Sequence, residues 1–434
     1  MYHNVDEFES VITNFATAYP TIAQRISLPL PSYDLKRTIS CLRIGSNDAH
    51  AADGVLLIFG QHAREWVPPE IALNLMADLI SAYLNNQSLT YGRMSFTAPQ
   101  VQEIVDGTNI YVVPCVNPDG RLWTQSANDA AHRLWRRNRN PDVSPTPSCQ
   151  GVDLNRNYDF AFDLDKHFDT TGAALLAHNS DDPCHPEQVY HGPGPFSEPE
   201  TQNIRWLVDT YPKIRWFIDI HAFKSEIYYP WGDDENQSTN PAMNWRNPAF
   251  DHKRGREGDD YREYISPADL AAHAKLAAHI RSGIQAVRGS SYFVTQIFTL
   301  YPTSGSATEW IWSRHLADSS KPRIESFAIE VAGGQSSLLD GFQPLIPLKD
   351  EIVREVTAGL INFCWAIRPT TVPYVRELPH GVAGSQVIAA GLVPHYTGAT
   401  PQPNAWVYTV SPSEGTIVRR GDTVTMYLRV GPVP

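Results

Sequence analysis

Apolar residues run unbroken from Val55 to Phe59 ("VLLIF"), which predicts a strand buried within a sheet. A strand over 38–44 ("TISCLRI") precedes it, and residues 7–30 read as a helix followed by turn material. After Pro69 the apolar positions Ile71, Leu75, Leu79 and Tyr83 fall on one stripe and predict a helix. Residues 109–116 ("NIYVVPCV") predict another strand, ending at the turn Asn117-Pro118-Asp119-Gly120. The pattern from Ser197 to Glu200 predicts a capping box opening a helix that buries Ile204, Leu207 and Val208.

Residues 216–220 ("WFIDI") predict a strand that ends at His221. A long helix is predicted to start at Ser266-Pro267, keep Leu270, Ile280 and Ile284 inward, and stop at Gly289. "SFAIEVAGG" (326–334) predicts a strand running into paired glycines. Between these elements, 232–264 is polar and aperiodic, which predicts a surface insertion, one that could rim a cleft. Beyond 369 the pattern becomes short alternating runs with tight turns such as "SPSEG", predicting a separate small β-rich module.

Strands alternating with helices predict an α/β sheet with helices on both faces. In such sheets ligands bind beyond the carboxyl ends of the strands. His62 and Glu65, His221, and Glu330 all fall at predicted strand ends. That coincidence predicts one shared crevice.

Composition narrows the classes. The 434 residues are 42% hydrophobic and 19% charged, a globular balance for one large and one small domain, or two to three ordinary ones. A net charge of −12 argues against nucleic acid or an anionic membrane as partner. No apolar run approaches the length of a membrane span, and the N-terminus "MYHNVDEFES" lacks the pattern of a signal peptide. The five cysteines contain no CxxC pair, so a thiolate zinc cluster is not expected.

Catalytic zinc sites use three protein ligands and leave a position for water. His62 and Glu65 have the short spacing of a half-site, and His221 supplies a remote third ligand. An HxxE pair alone is a weak signal, more readily read as a surface histidine and a solvated glutamate. Neither HExxH nor GxSxG occurs.

The chain also contains "HAREW", "HRLWRRNRN", "GVDLNRNYD", "IDIHAF", "LYPTSGSATEW" and "FAIEVAG", in that order. Together they resemble the zinc metallocarboxypeptidases of the pancreatic A/B type over roughly residues 2–368. The resemblance implies a mixed central β-sheet with helices on both faces and one Zn2+ held by His62, Glu65 and His221. It implies Glu330 as the base acting on a zinc-bound water, and Arg136 as the oxyanion partner. Asn155, Arg156 and Tyr301 would grip the free carboxylate of a peptide or protein C-terminus, and Arg64 would line the cleft. Asp153 would orient a zinc-bound histidine. A pocket that reads a free carboxylate restricts cleavage to C-termini.

On the same alignment Thr308 takes the position that decides side-chain preference, where a basic-preferring enzyme carries Asp. With Tyr228, Gln296, Thr303 and Ser306 on the walls, it implies preference for neutral residues, apolar to small polar. Phe223 stands where such enzymes often carry tyrosine. The resemblance also pairs Cys149 with Cys184, a bridge that contributes about 3–4 kcal/mol by loop closure and implies secretion. Cys41, Cys115 and Cys364 read as buried free thiols.

The tail, 371–433, resembles a PASTA domain through its opening Val-Pro, "AAGL", Pro-Ser-x-Gly turn and Gly-Asp-x-Val strand, which implies a small α+β module and a bacterial source. It is either a cell-wall or peptidoglycan binder or a spacer. The expected assembly state is a monomer. Two other functions stay open: a peptidoglycan-peptide hydrolase of the same fold, and a non-catalytic wall-binding protein. Arg136 and Glu330 argue against the last.

Overall fold

The computed structural model describes residues 1–46, 48–50 and 52–431. By contact density the chain divides into two compact units, Met1–Ile361 and Asn362–Pro434. The first is built on an eight-stranded sheet. Its elements are α1 (Val5–Ala18), β1 (Ala23–Ser27), β2 (Ser40–Ile44), β3 (Gly54–Phe59), α2 (Val67–Leu84), β4 (Asn109–Val113) and α3 (Pro118–Ser126). There follow α4 (Pro199–Thr210), β5 (Ile214–Lys224), β6 (Glu226–Tyr229), α5 (Pro267–Arg288), β7 (Phe293–Gln296), α6 (Ala307–Ala317) and β8 (Glu325–Ala332); α7 (Leu348–Ala366) begins in this unit and carries the chain across the division. Short helices and turns fill the connections.

The strand order is β1-β2-β4-β3-β5-β8-β6-β7. The four central strands, β4, β3, β5 and β8, run parallel. β2 joins β4 antiparallel, and β6 joins β8 antiparallel. The sheet is therefore mixed and flanked by helices. Every residue of β3 and β4 is buried, as expected for strands covered on both faces. α5 begins with the Ser266 side chain accepting from the Asp269 N–H and ends at Gly289 in the left-handed region, the start and stop its sequence predicts.

Five expectations are corrected. Residues after α1 form the edge strand β1, not turn material: Ala23 to Ser27 pair antiparallel with β2, and Ala23 and Ile26 alone are buried. Asn117 to Gly120 is not a terminating turn: the Asn117 side chain accepts from the Gly120 N–H and caps α3. No capping box forms at Ser197; Glu198 is the cap residue and makes no side-chain cap bond. Its carboxylate instead accepts from the Asn138 and Asn140 side chains in the interior. β5 continues through His221 to Lys224, so that histidine lies within a strand.

The polar stretch 232–264 is not wholly a surface loop. Arg254 is fully buried, its Nε 3.5 Å from Asp233 and 3.6 Å from Glu263, both also buried. A charge taken out of water needs such partners.

In the second unit β9 (Pro369–Thr371) pairs with β12 (Ile417–Arg419). α8 (His380–Ala389) accompanies a three-stranded sheet of β10 (Val393–Gly398), β13 (Thr423–Val430) and β11 (Ala405–Ser411). Val387, Val407, Val424, Met426 and Leu428 form its core. Residues 432–433 of the expected tail module lie outside the described residues.

Candidate active site

The positions of the charged side chains follow from the strands that carry them. β3 ends at Phe59, Gly60 turns the chain in the left-handed region, and His62 and Glu65 lie on the link into α2. β5 delivers His221. These three residues are the group of histidine and acidic side chains, among the described residues, whose ligand atoms all lie within 4.8 Å of one another. Nδ1 of His62 is 2.7 Å from Glu65 Oε1, and Nδ1 of His221 is 3.2 Å from Glu65 Oε2. The two imidazole Nδ1 atoms face each other at 3.1 Å. Two imidazole Nδ1 atoms converging on one point beside a carboxylate suit a shared divalent cation, so the donor set fits zinc.

Carboxylates back both imidazoles. His62 Nε2 lies 3.2 Å from Asp153 Oδ1, and His221 Nε2 lies 2.6 Å from Asp219 Oδ2. Each ring is thereby oriented with Nδ1 inward. Asp219 goes unnoticed in the sequence, although an Asp two residues before a strand histidine must share its face. Gln61 Nε2 donates to the same Asp219 oxygen that faces His221, and Tyr158 donates to Gln61 Oε1, fixing that carboxylate.

Burial favours neutral groups, yet the net effect here is charge. Against burial, His62 and His221 hold the Glu65 carboxyl far below the usual carboxylate range. Asp219 and Glu65 likewise hold the His221 imidazole well above its ordinary value, despite burial. Asp153 stays well below its own ordinary value because Arg136 and His62 outweigh burial.

Arg136 Nε donates to Asp153 Oδ2 at 2.8 Å, so one carboxylate orients both His62 and Arg136. Arg64, Glu65, Arg136, Glu226, Tyr301 and Glu330 line one cleft of about 450 Å3. Burial, with Glu65 nearby, pushes Glu330 up to about 8, and its Oε2 is buried without a hydrogen-bond partner. A cation beside it acts in the opposite direction.

Arg156 is buried; Nε donates to His178 O and Nη1 to Asn155 O, while Nη2 has no partner. Its guanidinium carbon lies 5.6 Å from the Tyr301 ring centre. Asn155 reaches His221 Nε2 at 3.3 Å through Nδ2, and its Oδ1 accepts from the Ala307 N–H at the start of α6. Thr308 lies on α6, buried against β8, with its hydroxyl 3.5 Å from Phe327 O.

The expected wall residues Thr303 and Ser306 both donate to Glu309, and Gln296 bonds to Asn236 and Asp234 backbone. Phe223 packs edge-on against Phe342 in the cleft. Cys149 and Cys184 form a disulfide, and the three other cysteines are buried and free. Arg137 donates to the carbonyls of Ser148 and Pro183 at its two ends. Arg133 and Arg139 lie over Trp66 and Trp123, so this basic run is tied into the protein.

Comparison with known proteins places this geometry. The chain is 29% identical to carboxypeptidase B of Astacus astacus over 310 residues, 71% of this chain and 81% of that protein. It is 27% identical to carboxypeptidase A2 of Rattus norvegicus over 382 residues, 87% of this chain and 71% of that one. Bovine thrombin-activatable fibrinolysis inhibitor, solved in complex with tick carboxypeptidase inhibitor, superposes with a TM-score of 0.60 at 20% identity, covering 84% of this chain and 96% of that one. Carboxypeptidase A from Helicoverpa armigera gives 0.59 at 21%, covering 84% and 74%. Both structures show the same fold. No helix among the described residues is long and apolar enough to cross a membrane. Residues 8–358 match the zinc carboxypeptidase family, and the chain belongs to that family: it is a zinc-dependent metallocarboxypeptidase.

Proposed function

We propose that the enzyme is of the A/B type and removes neutral C-terminal residues, apolar to small polar, from peptides and proteins outside the cell. The carrying observation is the convergence of His62, Glu65 and His221 beside the unpartnered Glu330 oxygen. Zinc bound there supplies Lewis acidity and makes water a nucleophile at neutral pH. Glu330 takes the proton of the attacking water and returns it to the leaving amine. Arg136, held by Asp153, faces the developing oxyanion, a contribution of about 3–4 kcal/mol. The free Nη2 of Arg156 takes the substrate carboxylate, with Asn155 and Tyr301 beside it and Arg64 along the cleft. Thr308 places no charge at the base of the side-chain pocket.

The disulfide supports secretion. The domain reading is a catalytic domain over 1–368 and a PASTA-like module over 371–433 that binds cell-wall peptide or acts as a spacer. Digestion of one free-ended and one C-terminally blocked peptide, with and without o-phenanthroline and followed by mass spectrometry, tests this function. Stepwise loss from the free end alone, abolished by chelation, is expected. Cleavage of muropeptides alone moves the reading to a peptidoglycan-peptide hydrolase, and no chelator-sensitive cleavage sinks both.

A further inference from the structure

The row of residues that carries the reactive groups does not stop at Glu330. Across the sheet, His221 on β5 is in register with Glu330 on β8, Glu330 with Glu226 on β6, and Glu226 with Phe293 on β7. Residues in register on adjacent strands share a face. A metal ligand, the base, a second carboxylate and an aromatic ring thus lie in one line. Glu226, Phe293 and Glu330 all line the cleft.

Glu226 is part-exposed and Phe293 is 69% exposed, an unusual surface position for a phenylalanine in a cleft. Glu226 accepts from the Tyr228 hydroxyl, which fixes the carboxylate against β6. The neighbouring cation is Lys224, 3.9 Å away and itself 45% exposed. An ion pair that long and that open to water is weak and yields readily to a competitor.

Depth decides which part of a substrate meets this pair. Two residue pairs inward along β8 and β6, on the same face, Ala328 faces Tyr228, the level at which the proposed pocket for the terminal side chain lies. Glu226 stands two pairs outward, level with Glu330 and hence with the bond being cut. The side chain that reaches it belongs to the residue before that bond.

The geometry points to Glu226 and Phe293 as a subsite that selects a cationic side chain, Lys or Arg, at the penultimate position of the substrate. The alkyl stem of such a side chain covers the Phe293 ring, and its charge meets the Glu226 carboxylate. This rests on the carboxypeptidase reading above and extends it to the other side of the scissile bond.

The test uses the full chain and three peptides that share a C-terminal residue and differ only in a penultimate Lys, Gln or Glu. kcat/KM is expected to favour Lys over Gln by about five-fold, the size of a partly exposed charge contact, with Glu lowest. The preference shrinks at high salt. E226Q brings the Lys-to-Gln ratio to about one, and F293A lowers it part of the way; a ratio is unaffected by the fraction of active enzyme. Equal rates on all three peptides, or an unchanged ratio in E226Q, overturn the proposal while leaving the carboxypeptidase reading standing. Absence of chelator-sensitive release from every peptide overturns that reading, and this proposal with it.

Discussion

The imidazole of His178 lies flat on the phenol of Tyr301, ring centres 3.8 Å apart and planes 14° from parallel. The backbone carbonyl of His178 also accepts from Arg156 Nε. One residue therefore holds two groups assigned to the substrate carboxylate. Burial, with Arg156 nearby, lowers the His178 imidazole to about 4, so the ring is neutral at physiological pH and stacks without added repulsion.

Removing that ring is expected to act on binding. His178→Ala should raise KM by about two- to ten-fold, the range of one aromatic contact, with a smaller change in kcat. His178→Phe should restore most of the loss. Steady-state kinetics on one neutral-ended peptide checks both, and an unaltered KM in the alanine variant removes the role.

Glu330→Gln keeps the shape and loses the proposed base. kcat is expected to fall by about 10²–10⁴-fold. Zinc content, measured by mass spectrometry, should remain near one per chain, because the three proposed ligands are untouched.

Asp219 makes the shorter carboxylate contact to a proposed ligand histidine, 2.6 Å against 3.2 Å for Asp153. Asp219→Asn should weaken zinc binding by about 10–100-fold in competition with a chelator. A zinc affinity equal to the parent's would show that His221 needs no such partner.

Glu309 is buried, accepts hydrogen bonds from the Gly232 N–H, Thr303 and Ser306, and is pushed up from 4.5 to about 8 by burial and then by Asp233. Below its unfolded pKa both states carry the proton. Between there and about 8 the unfolded chain releases it while the fold retains it, so stability falls as pH rises. Glu309→Gln should flatten the decline in Tm across this window, measured by calorimetry. Glu200, raised to about 8 by burial and Glu198, acts in the same direction, so the flattening is partial.

Much of the frame is written in local pattern. The unbroken apolar runs of β3 and β4 can only be satisfied inside a covered sheet, and Ser266 and Gly289 bound α5 by backbone chemistry that needs no partner. β1 escapes notice because a five-residue edge strand buries only two residues, too few to show a period. The Ser197 capping box fails because capture of the Glu198 carboxylate by Asn138 and Asn140 is decided by residues nearly sixty positions away.

The sequence by itself determined which residue types reach the strand ends and which segments are apolar enough to be buried. Tertiary structure alone decided that His62 and His221 turn their Nδ1 atoms to one point, that Asp153 serves His62 and Arg136 together, and that Glu226 stands beside Glu330. The physical reason is that periodicity reports how much of a segment leaves water, a local quantity. Which strands pair, and in what register, is set by the packing of the whole sheet, and register is what places one side chain against another.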